Sequence, residues 1–401
     1  MAAIWISVSQ AVNAGTNVLL TFQLAAVSSV SEFGALAIGL TILPLAVAGM
    51  RGFSYEPAVV HGDLSRRAAS RVLGDSAVAG GFVALAIVAV VLLLKAPAGV
   101  GVLLGVGALA AVVQDGARWL LFGAGRPKAA ASLDFLWGGV QATGLVVFGG
   151  STVEIAGAWT LAALVSAAVG AVLVWRGATP GGSRATRVWQ WGVEYVVSAG
   201  AIQLAILMAP LTGGVEVAGA LRGALTLLGG ASVLLGAGQQ IVAGRLRTVD
   251  DSGLWALGVR LAAVLGLLVA VACVPLLFIS EALGAALLGE TWQASRAVVP
   301  ILVLQKIAGA IGTAPVFVLR KRLGHTVGVW WRSGLTAAVL AGVLLGSALG
   351  SAQGAAWALT AGAIVSVPIW MRMLYNASRS SAVTAIPASG QLPSDGGVTP
   401  E

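Results

Sequence analysis

The sequence predicts an all-α polytopic membrane protein with about 12 transmembrane helices. Hydrophobic residues make up 58% of its 401 positions and charged residues only 9%, whereas a soluble domain carries about 25% charged residues. Stretches of roughly 20 mostly apolar residues, the length that crosses a bilayer, follow one another along the chain. Runs such as 82–94 are apolar on every face, so these stretches are helices and not the alternating strands of a β-barrel.

Breaks that contain Gly, Pro or charged residues divide the apolar sequence into spans. Among the loops between them, one alternate set holds 17 Lys and Arg, and the other set holds only Lys95. Because cytoplasmic loops carry the excess of basic residues, we expect the first set, and both chain termini, in the cytoplasm. The predicted spans are 4–27, 34–57, 76–94, 99–124, 130–149, 153–175, 192–211, 215–243, 261–280, 296–319, 333–350 and 353–375.

The two ends of the chain differ from each other in composition. The N-terminal segment lacks a basic region and a small-residue cleavage site, so it is expected to be a retained span. Residues 376–401 are rich in Ser, Ala, Pro and Gly and are expected to form a disordered cytoplasmic tail. Tryptophans beside the basic loops are typical of the headgroup level of a membrane. They are Trp175, Trp189, Trp191, Trp330, Trp331 and Trp370.

An internal repeat divides the chain into halves. A shift of 185 residues aligns 13–44 with 198–229 without a gap, and the Gly-Ala-Leu at 34–36 meets an identical triplet. Six spans per half is an even number, so the halves have the same orientation, which is the parallel-repeat arrangement. The sequence thus predicts two six-helix lobes around a central cavity. They are an N-terminal lobe, 1–175, and a C-terminal lobe, 192–375, joined by a cytoplasmic linker, 176–191.

Charged residues inside the spans are costly unless they face protein, water or a ligand. Lys306 lies near the middle of the tenth span and is the leading candidate for a cation in the cavity. Arg222 and Arg51 lie about two turns from a span end. Each of them therefore either faces the cavity or extends its charged group to the membrane surface.

Acidic residues in the spans are candidates for coupling or for pairing with these cations. Asp115 and Arg118 are spaced i, i+3 and can touch on one helical face, either as a structural pair or as part of a substrate site. Asp134 has Arg118, Arg126 or Lys128 as alternative partners. Glu194, at the start of the seventh span, either caps that helix or pairs with Arg187.

No motif in the sequence indicates covalent chemistry. A Gly-x-x-x-x-Gly-Lys-Ser/Thr loop is absent, so direct coupling to ATP is not expected, and no nucleophile with a base can be assembled. His61 and His325 lie far apart, and Cys273 is the only cysteine, so we predict no metal site, disulfide or cofactor. The 23 Lys and Arg are dispersed, which argues against a nucleic-acid partner.

Several short motifs resemble actinobacterial members of the multidrug/oligosaccharidyl-lipid/polysaccharide (MOP) exporter superfamily. The resemblance extends over nearly the whole chain. The motifs are Gln-Asp-Gly-Ala-Arg at 114–118, Gly-Arg-Pro at 125–127, Asp134 with 137–141, Leu-Arg-Gly-Ala at 221–224 with Thr-Leu-Leu at 226–228, Leu-Gly-Glu-Thr-Trp at 288–292 and Ser-Glu-Phe-Gly at 31–34.

The resemblance implies two six-helix lobes facing each other in a V around a central cavity. The polysaccharide branch is similar to flippases that carry polyprenyl-pyrophosphate-linked sugars from the cytoplasmic to the outer leaflet of the bacterial plasma membrane. Because Arg and Lys pair strongly with phosphate oxygens away from bulk water, the predicted substrate-binding cations are Arg51, Arg118, Arg222 and Lys306. The expected partners are a lipid-linked saccharide, membrane lipids and envelope glycosyltransferases.

Two other functions fit the sequence. The first is an ion-coupled antiporter of small cationic compounds, from the drug-export branch of the same superfamily, which would need acids deep in the cavity. Asp115 is the one deep acid, and the four candidate cations lie deeper than the remaining acids, which favours an anionic substrate. The second is a membrane scaffold that organises envelope polysaccharide synthesis without transport.

Overall fold

The fold is helical throughout the part of the chain that the computed structural model describes. These residues are 2–60, 64–179, 188–231, 233–235, 253–349 and 351–384. Within them there is no β-sheet, and the one extended pairing is an isolated bridge between Ser65 and Thr179. The predicted all-α fold class is confirmed.

Short loops join the helices, and several helices begin behind a serine cap. The Ser29 hydroxyl, for example, accepts a hydrogen bond from the Glu32 amide at 3.3 Å, which satisfies one of the amides that a helix start leaves unpaired. We number the main helices α1 (Ala2–Val27), α2 (Val30–Met50), α3 (Arg66–Leu93), α4 (Ala98–Gly123), α5 (Pro127–Phe148), α6 (Thr152–Gly177), α7 (Trp189–Met208), α8 (Val215–Leu227), α9 (Leu254–Cys273), α10 (Glu281–Leu288), α11 (Trp292–Ala348) and α12 (Ala352–Thr384).

The described helices account for nine to 11 of the 12 expected membrane spans. Nine of the described helices are long and apolar enough to cross a membrane, and two bent helix pairs bring the number to 11. We assign the remaining span to α1, because its 26 residues include no charged side chain and extend about 39 Å at the helical rise. It is less apolar than the other spans because polar residues such as Ser9, Asn13 and Asn17 occur along it.

The helix α11 contains two predicted spans in one helical segment of 57 residues. The Thr360 hydroxyl of α12 donates to the Ile301 carbonyl at 3.0 Å, and a Cβ added to Gly362 would lie 2.1 Å from Val339 Cγ2. A straight helix would separate Ile301 from Val339 by about 57 Å, so the chain reverses direction between them. The two arms of α11, 292–316 and Trp330–Ala348, form the tenth and eleventh spans.

Each half of the chain has its own hydrophobic core. Trp159 and Ile87 are buried in the core of the N-terminal half, and Val269 and Leu302 in that of the C-terminal half. The second spans of the two halves begin at Val30 and Val215, and this difference of 185 residues equals the shift of the sequence repeat. The two-lobed parallel repeat is therefore confirmed.

The helix α2 forms much of the contact between the lobes, and glycines allow its close approach. A Cβ added to Gly34 would lie 2.3 Å from the carbonyl oxygen of Val215 on α8. Beyond Met50, α2 continues through a π-helical turn, Arg51–Tyr55. A Cβ added to Gly52 in that turn would lie 2.2 Å from the carbonyl oxygen of Trp191 on α7. Neither contact leaves room for a methyl group.

Several basic residues occur where helix ends of the N-terminal lobe meet, at what we call the basic end. The Arg66 amide donates to the Thr179 carbonyl at 2.9 Å, and the Arg126 side chain donates to the Leu173 carbonyl at 3.1 Å. The ends of α3, α5 and α6 are thereby held together. The close contact between α2 and α7 at Gly52 lies at the same end of the molecule.

At the opposite end, which we call the far end, the C-terminal lobe closes against α1. Leu288 and Trp292 of the C-terminal lobe are buried in the N-terminal hydrophobic core. Gly289 between them has a φ of 53°, a conformation that favours glycine. A Cβ at Gly289 would also lie 2.8 Å from the Ala25 carbonyl oxygen of α1. The lobes thus touch at both ends and enclose a space between them.

The helix α12 continues to Thr384, past position 376, where we expected the tail to begin. The Arg379 guanidinium lies 5.0 Å from the ring centre of Tyr375, one turn earlier, and such i, i+4 pairs support a helix. The rest of the predicted tail, 385–401, and positions 180–187 of the predicted linker lie outside the described residues.

Gly34→Ala should move the lobes apart at the far end, because the new Cβ would overlap the Val215 carbonyl oxygen. Gly52→Ala should do so at the basic end, against Trp191. Electron paramagnetic resonance between spin labels across each end should report a longer distance at the altered end only. Gly15→Ala is the control, because no atom lies within 4 Å of its new Cβ. Unchanged far-end distances in Gly34→Ala would contradict this description of the contact.

Candidate functional site

A cavity of about 360 Å³ lies between the lobes, and we call it the interlobe cavity. Most of its lining comes from the middle of α1, α2, α4 and α5, and the C-terminal lobe adds one residue from α7 and one from α8. Its polar or charged lining residues are Asn13, Asn17, Thr21, Arg51, Gln114, Asp115, Trp137, Gln203 and Arg222.

The helix α1 presents a polar face to the interlobe cavity. Asn13, Asn17 and Thr21 are four residues apart, which places them on one side of the helix. The Asn17 side chain donates to the Asn13 carbonyl at 2.9 Å, and the Thr21 hydroxyl donates to the Asn17 carbonyl at 2.8 Å. These side chains are neutral, so α1 contributes polarity to the cavity and no charge.

Arg51 is the first residue of the π-helical turn and pairs with Asp115 of α4. Its Nε and one terminal nitrogen donate to different carboxylate oxygens, at 3.0 and 2.9 Å, which is the bidentate geometry of strong arginine pairs. The Arg51 side chain is 28% exposed. Turns of this π-helical type are frequent at functional sites. Arg51 therefore borders the cavity but is already paired with the carboxylate of Asp115.

Arg118 is buried between two carboxylates and does not face the cavity. Its side chain is 0% exposed, and its terminal nitrogens lie 2.5 Å from Asp115 Oδ1 and 3.4 Å from Asp134 Oδ2. A buried guanidinium inside a membrane needs such compensation. The i, i+3 spacing of Asp115 and Arg118 thus corresponds to an ion pair in the interior of the lobe.

Asp134 connects three helices of the N-terminal lobe. The Ser9 hydroxyl of α1 and the Gln114 side-chain amide of α4 both donate to its carboxylate, the amide at 2.9 Å. Arg118 is in contact with it as well. One carboxylate on α5 therefore holds α1 and α4 in place.

The other two basic residues near Asp134 in sequence are directed elsewhere. Arg126 donates to a backbone carbonyl of α6. The Lys128 ammonium lies 5.9 Å from the ring centre of Trp5 on α1. Of the three alternative partners expected for Asp134, Arg118 is thus the one in contact.

The charges of the network around Arg118 are balanced, and Arg222 of the C-terminal lobe is the exception at the cavity. Arg51 and Arg118 are matched by Asp115 and Asp134. The Nε of Arg222 is buried, and no described residue accepts a hydrogen bond from it. Among the described residues, the interlobe cavity therefore holds one uncompensated positive charge, contributed by α8.

Three neutral side chains of the interlobe cavity keep buried polar atoms without a partner among the described residues. They are Gln114 Oε1, Trp137 Nε1 and Gln203 Oε1. A buried polar group left without a hydrogen bond costs about 1–3 kcal/mol. Water or a bound molecule is therefore expected to form the missing hydrogen bonds. The indole N–H of Trp137 is a donor, and the two glutamine oxygens are acceptors.

Lys306 lines a different cavity, of about 480 Å³, inside the C-terminal lobe. No described residue lines both this cavity and the interlobe cavity. The four predicted substrate-binding cations are therefore not one group. Arg51 and Arg222 border the interlobe cavity, Arg118 is buried, and Lys306 lies apart.

Glu194, predicted as a coupling or pairing acid, is also separate from the interlobe cavity. Its carboxylate lies 3.4 Å from a terminal nitrogen of Arg332 on the second arm of α11. Its alternative partner, Arg187, lies outside the described residues. In the part of the chain that the structure describes, no three His, Cys, Asp or Glu side chains are grouped to hold a metal ion.

Sequence reasoning missed the neutral residues of the site. Asn13, Asn17 and Gln203 are uncharged residues of the lining, so the pattern of charges in the spans does not identify them. The four-residue spacing of the two asparagines in an apolar span is a signal that could have identified them. No comparable local signal exists for Gln203, because its place at the cavity depends on how the two lobes meet.

Solved structures that resemble this chain are membrane transporters. An outward-facing conformation of a multidrug resistance MATE family transporter of the MOP superfamily has a TM-score of 0.61 at 14% identity, covering 96% of this chain and 97% of that one. The inward-facing conformation of such a transporter has a TM-score of 0.59 at 14% identity, covering 96% and 100%.

A third structure differs in the polarity of its pocket. It is a MOP superfamily transporter from Pyrococcus furiosus, described as having a binding pocket of reverse polarity that suggests a different function. Its TM-score is 0.53 at 16% identity, covering 94% of this chain and 96% of that one. No protein-family model and no curated protein matches the sequence. At 14–16% identity, the likeness to these solved structures concerns the fold alone.

Asp134→Asn should destabilise the N-terminal lobe, because it leaves the buried Arg118 with only the carboxylate that it shares with Arg51. Removing one partner of a buried ion pair costs about 3–5 kcal/mol. Unfolding in detergent measures the change in free energy. The double variant Arg118→Gln/Asp134→Asn removes both charges and should recover most of the loss. A double variant less stable than the single one would contradict this balance of charge.

Proposed function

We propose that this chain, which has the fold of MOP superfamily transporters, carries a polyprenyl-pyrophosphate-linked saccharide from the cytoplasmic to the outer leaflet of the bacterial plasma membrane. The observation that carries the proposal is Arg222, whose buried Nε has no acceptor among the described residues at the interlobe cavity. The two lobes would expose this cavity to each side in turn, as expected for a parallel repeat.

An anionic group suits the interlobe cavity better than a cationic one. The carboxylate that borders the cavity, Asp115, is already bound by Arg51 and Arg118. A cation that entered the cavity would be repelled by Arg222, and the carboxylate of Asp115 would already be paired. An entering anion would instead gain charge-assisted hydrogen bonds from Arg222, which are stronger in a cavity of low dielectric than in water.

A pyrophosphate can engage both lobes at once. Arg51 borders the cavity from the N-terminal lobe and Arg222 from the C-terminal lobe. A group with two phosphates has one for each arginine, so its binding would favour the state in which both arginines approach it. Asp115 would still be paired with Arg118 when Arg51 turns toward the substrate.

The size and neutral lining of the cavity suit the head of such a lipid. A volume of about 360 Å³ is within the usual range of sites for small ligands, roughly 300–1,000 Å³, so the pyrophosphate and the adjoining sugar would lie inside it. Gln114, Trp137 and Gln203 offer unpaired polar atoms for sugar hydroxyls. The polyprenyl chain would stay in the membrane beside the lobes.

The proposed substrate also suggests the setting of the protein. Lipid-linked saccharides are built by glycosyltransferases at the cytoplasmic face, so these enzymes are the expected partners. The excess of basic residues on one set of loops suggests that the basic end faces the cytoplasm. No covalent step is part of the proposal.

Arg222→Gln should slow movement of a fluorescent polyprenyl-pyrophosphate oligosaccharide between the leaflets of liposomes. The loss of a charge-assisted hydrogen bond predicts a decrease of about 10- to 100-fold. Arg176→Gln is the control, because Arg176 is exposed at the end of α6 and its loss leaves the cavity unchanged. Equal rates for wild type and Arg222→Gln would contradict the proposal, and no movement by wild type would favour the scaffold.

An antiporter of small cationic compounds is a second candidate. The observation that favours it is Asp115, an acid at the border of the interlobe cavity. The fold is also shared with multidrug resistance transporters. In that case a cation would compete with Arg51 for the Asp115 carboxylate.

Asp115→Asn distinguishes the two candidates. It removes the negative charge that pairs with Arg51 and one of the two oxygens that accept from it. The cavity becomes more positive, so the flippase proposal predicts tighter binding of the lipid-linked pyrophosphate. The antiporter alternative predicts loss of binding of a cationic dye. Both are measured by equilibrium binding to purified protein, with unfolding temperature as the control for the integrity of the fold. Weaker pyrophosphate binding together with lost dye binding would favour the antiporter.

A further inference from the structure

The π-helical turn at the end of α2, Arg51–Tyr55, belongs both to the interlobe cavity and to the contact between the lobes. The Arg51 side chain borders the cavity. Its neighbour Gly52 packs so closely on α7 that an added Cβ would lie 2.2 Å from the Trp191 carbonyl oxygen. The cavity residue and the contact residue are therefore adjacent in sequence, with about 3.8 Å between their Cα atoms.

The second half of the turn is fixed to the N-terminal lobe. The Ser54 hydroxyl donates to the Asp75 carboxylate of α3 at 3.0 Å. The hydroxyl of the buried Tyr55 donates to the Val112 carbonyl of α4, also at 3.0 Å. The turn is thus an integral part of that lobe, and any displacement of the lobe carries Arg51 and the contact surface together.

Pro57 makes a carbonyl of the turn available to the other half of the chain. Proline has no N–H, so the Phe53 carbonyl lacks the donor that an α-helix would supply four residues later. The Val188 amide, immediately before α7, donates to this carbonyl at 3.2 Å. This hydrogen bond adjoins the contact between Gly52 and Trp191, and we call the two contacts the basic-end seal.

An anion in the interlobe cavity would act on the basic-end seal through charge. Across the cavity from Arg51, the Nε of Arg222 has no acceptor among the described residues. An anion between the two guanidinium groups attracts both of them, strongly so at low dielectric. Its binding therefore favours the state in which the two lobes lie together at the turn.

We propose that an anion bound in the interlobe cavity closes the basic-end seal and that the π-helical turn couples the two. Arg51 binds the anion, and Gly52 and Phe53 of the same turn then close against the start of α7. The coupling rests on the proposed function, which supplies the anion, and adds a direction to it. A loaded cavity is closed at the end from which the substrate enters.

Hydrogen exchange of the full-length protein in nanodiscs, with saturating inorganic pyrophosphate as the probe, tests the coupling. The peptide that contains the Val188 amide should exchange about 5- to 150-fold more slowly with pyrophosphate, the usual range of coupling between two sites. The far-end peptide, 288–292, is the internal control. Equal slowing at both ends would indicate general stabilisation by a ligand and would overturn the proposal.

Arg51→Gln should abolish the slowing at Val188 when pyrophosphate saturates the remaining Arg222 site. In this variant Arg118 keeps both of its carboxylates, and the unfolding temperature shows whether the lobe remains folded. Arg176→Gln, which removes an exposed arginine at the end of α6, is the matched control and should retain the slowing. Slowing that persists in Arg51→Gln would contradict the coupling.

Pro57→Ala tests the basic-end seal without any ligand. The new amide competes with Val188 for the Phe53 carbonyl, so the Val188 amide should exchange faster than in wild type. Pro300→Ala is the control, because it also adds an amide inside a helix but in the first arm of α11. Equal exchange at Val188 in wild type and Pro57→Ala would overturn the role of the seal.

Calorimetric titration of the same samples with pyrophosphate separates this coupling from the proposed function. Binding by wild type without slower exchange at Val188 would overturn the coupling and leave the flippase proposal intact. Absence of binding to folded wild type would overturn both.

Discussion

The N-terminal lobe depends on the neutralisation of a guanidinium buried inside the membrane. Arg118 has no exposed side-chain surface, and an unpaired charge at such a place costs several kcal/mol. Asp115 and Asp134 must therefore lie within reach of it, which fixes α4 against α5. Arg51 extends the same network to α2, and the Ser9 hydroxyl extends it to α1.

This network is neutral, so it adds no net charge to the interlobe cavity. Arg51 is present but bound by Asp115, so the uncompensated cation is Arg222 of the other lobe. The proposed recognition of an anion would then involve both lobes, which are in close contact along α2 at Gly34 and along the π-helical turn at Gly52. Under the proposed function, a substrate that draws Arg51 and Arg222 together would act on the same boundary that opens and closes during transport.

The sequence predicted the features that depend on local pattern. Hydropathy predicted the spans, and the shift of 185 residues predicted the register at which α2 and α8 begin. The i, i+3 spacing predicted the contact between Asp115 and Arg118. The sequence did not predict contacts between residues that are distant along the chain. Arg51 pairs with Asp115, which is 64 residues away. Lys306 lines a separate cavity because both arms of α11 contribute to the wall of that cavity. Such placements depend on packing between helices, which hydropathy does not encode.

A structure of the protein with a short-chain polyprenyl pyrophosphate bound would test the account most directly. The account predicts a phosphate oxygen within hydrogen-bond distance of the Arg222 guanidinium in the interlobe cavity, with Arg118 still between Asp115 and Asp134. A pyrophosphate bound away from Arg222 would contradict it. So would an interlobe cavity that binds a cationic compound on the Asp115 carboxylate and leaves the pyrophosphate unbound.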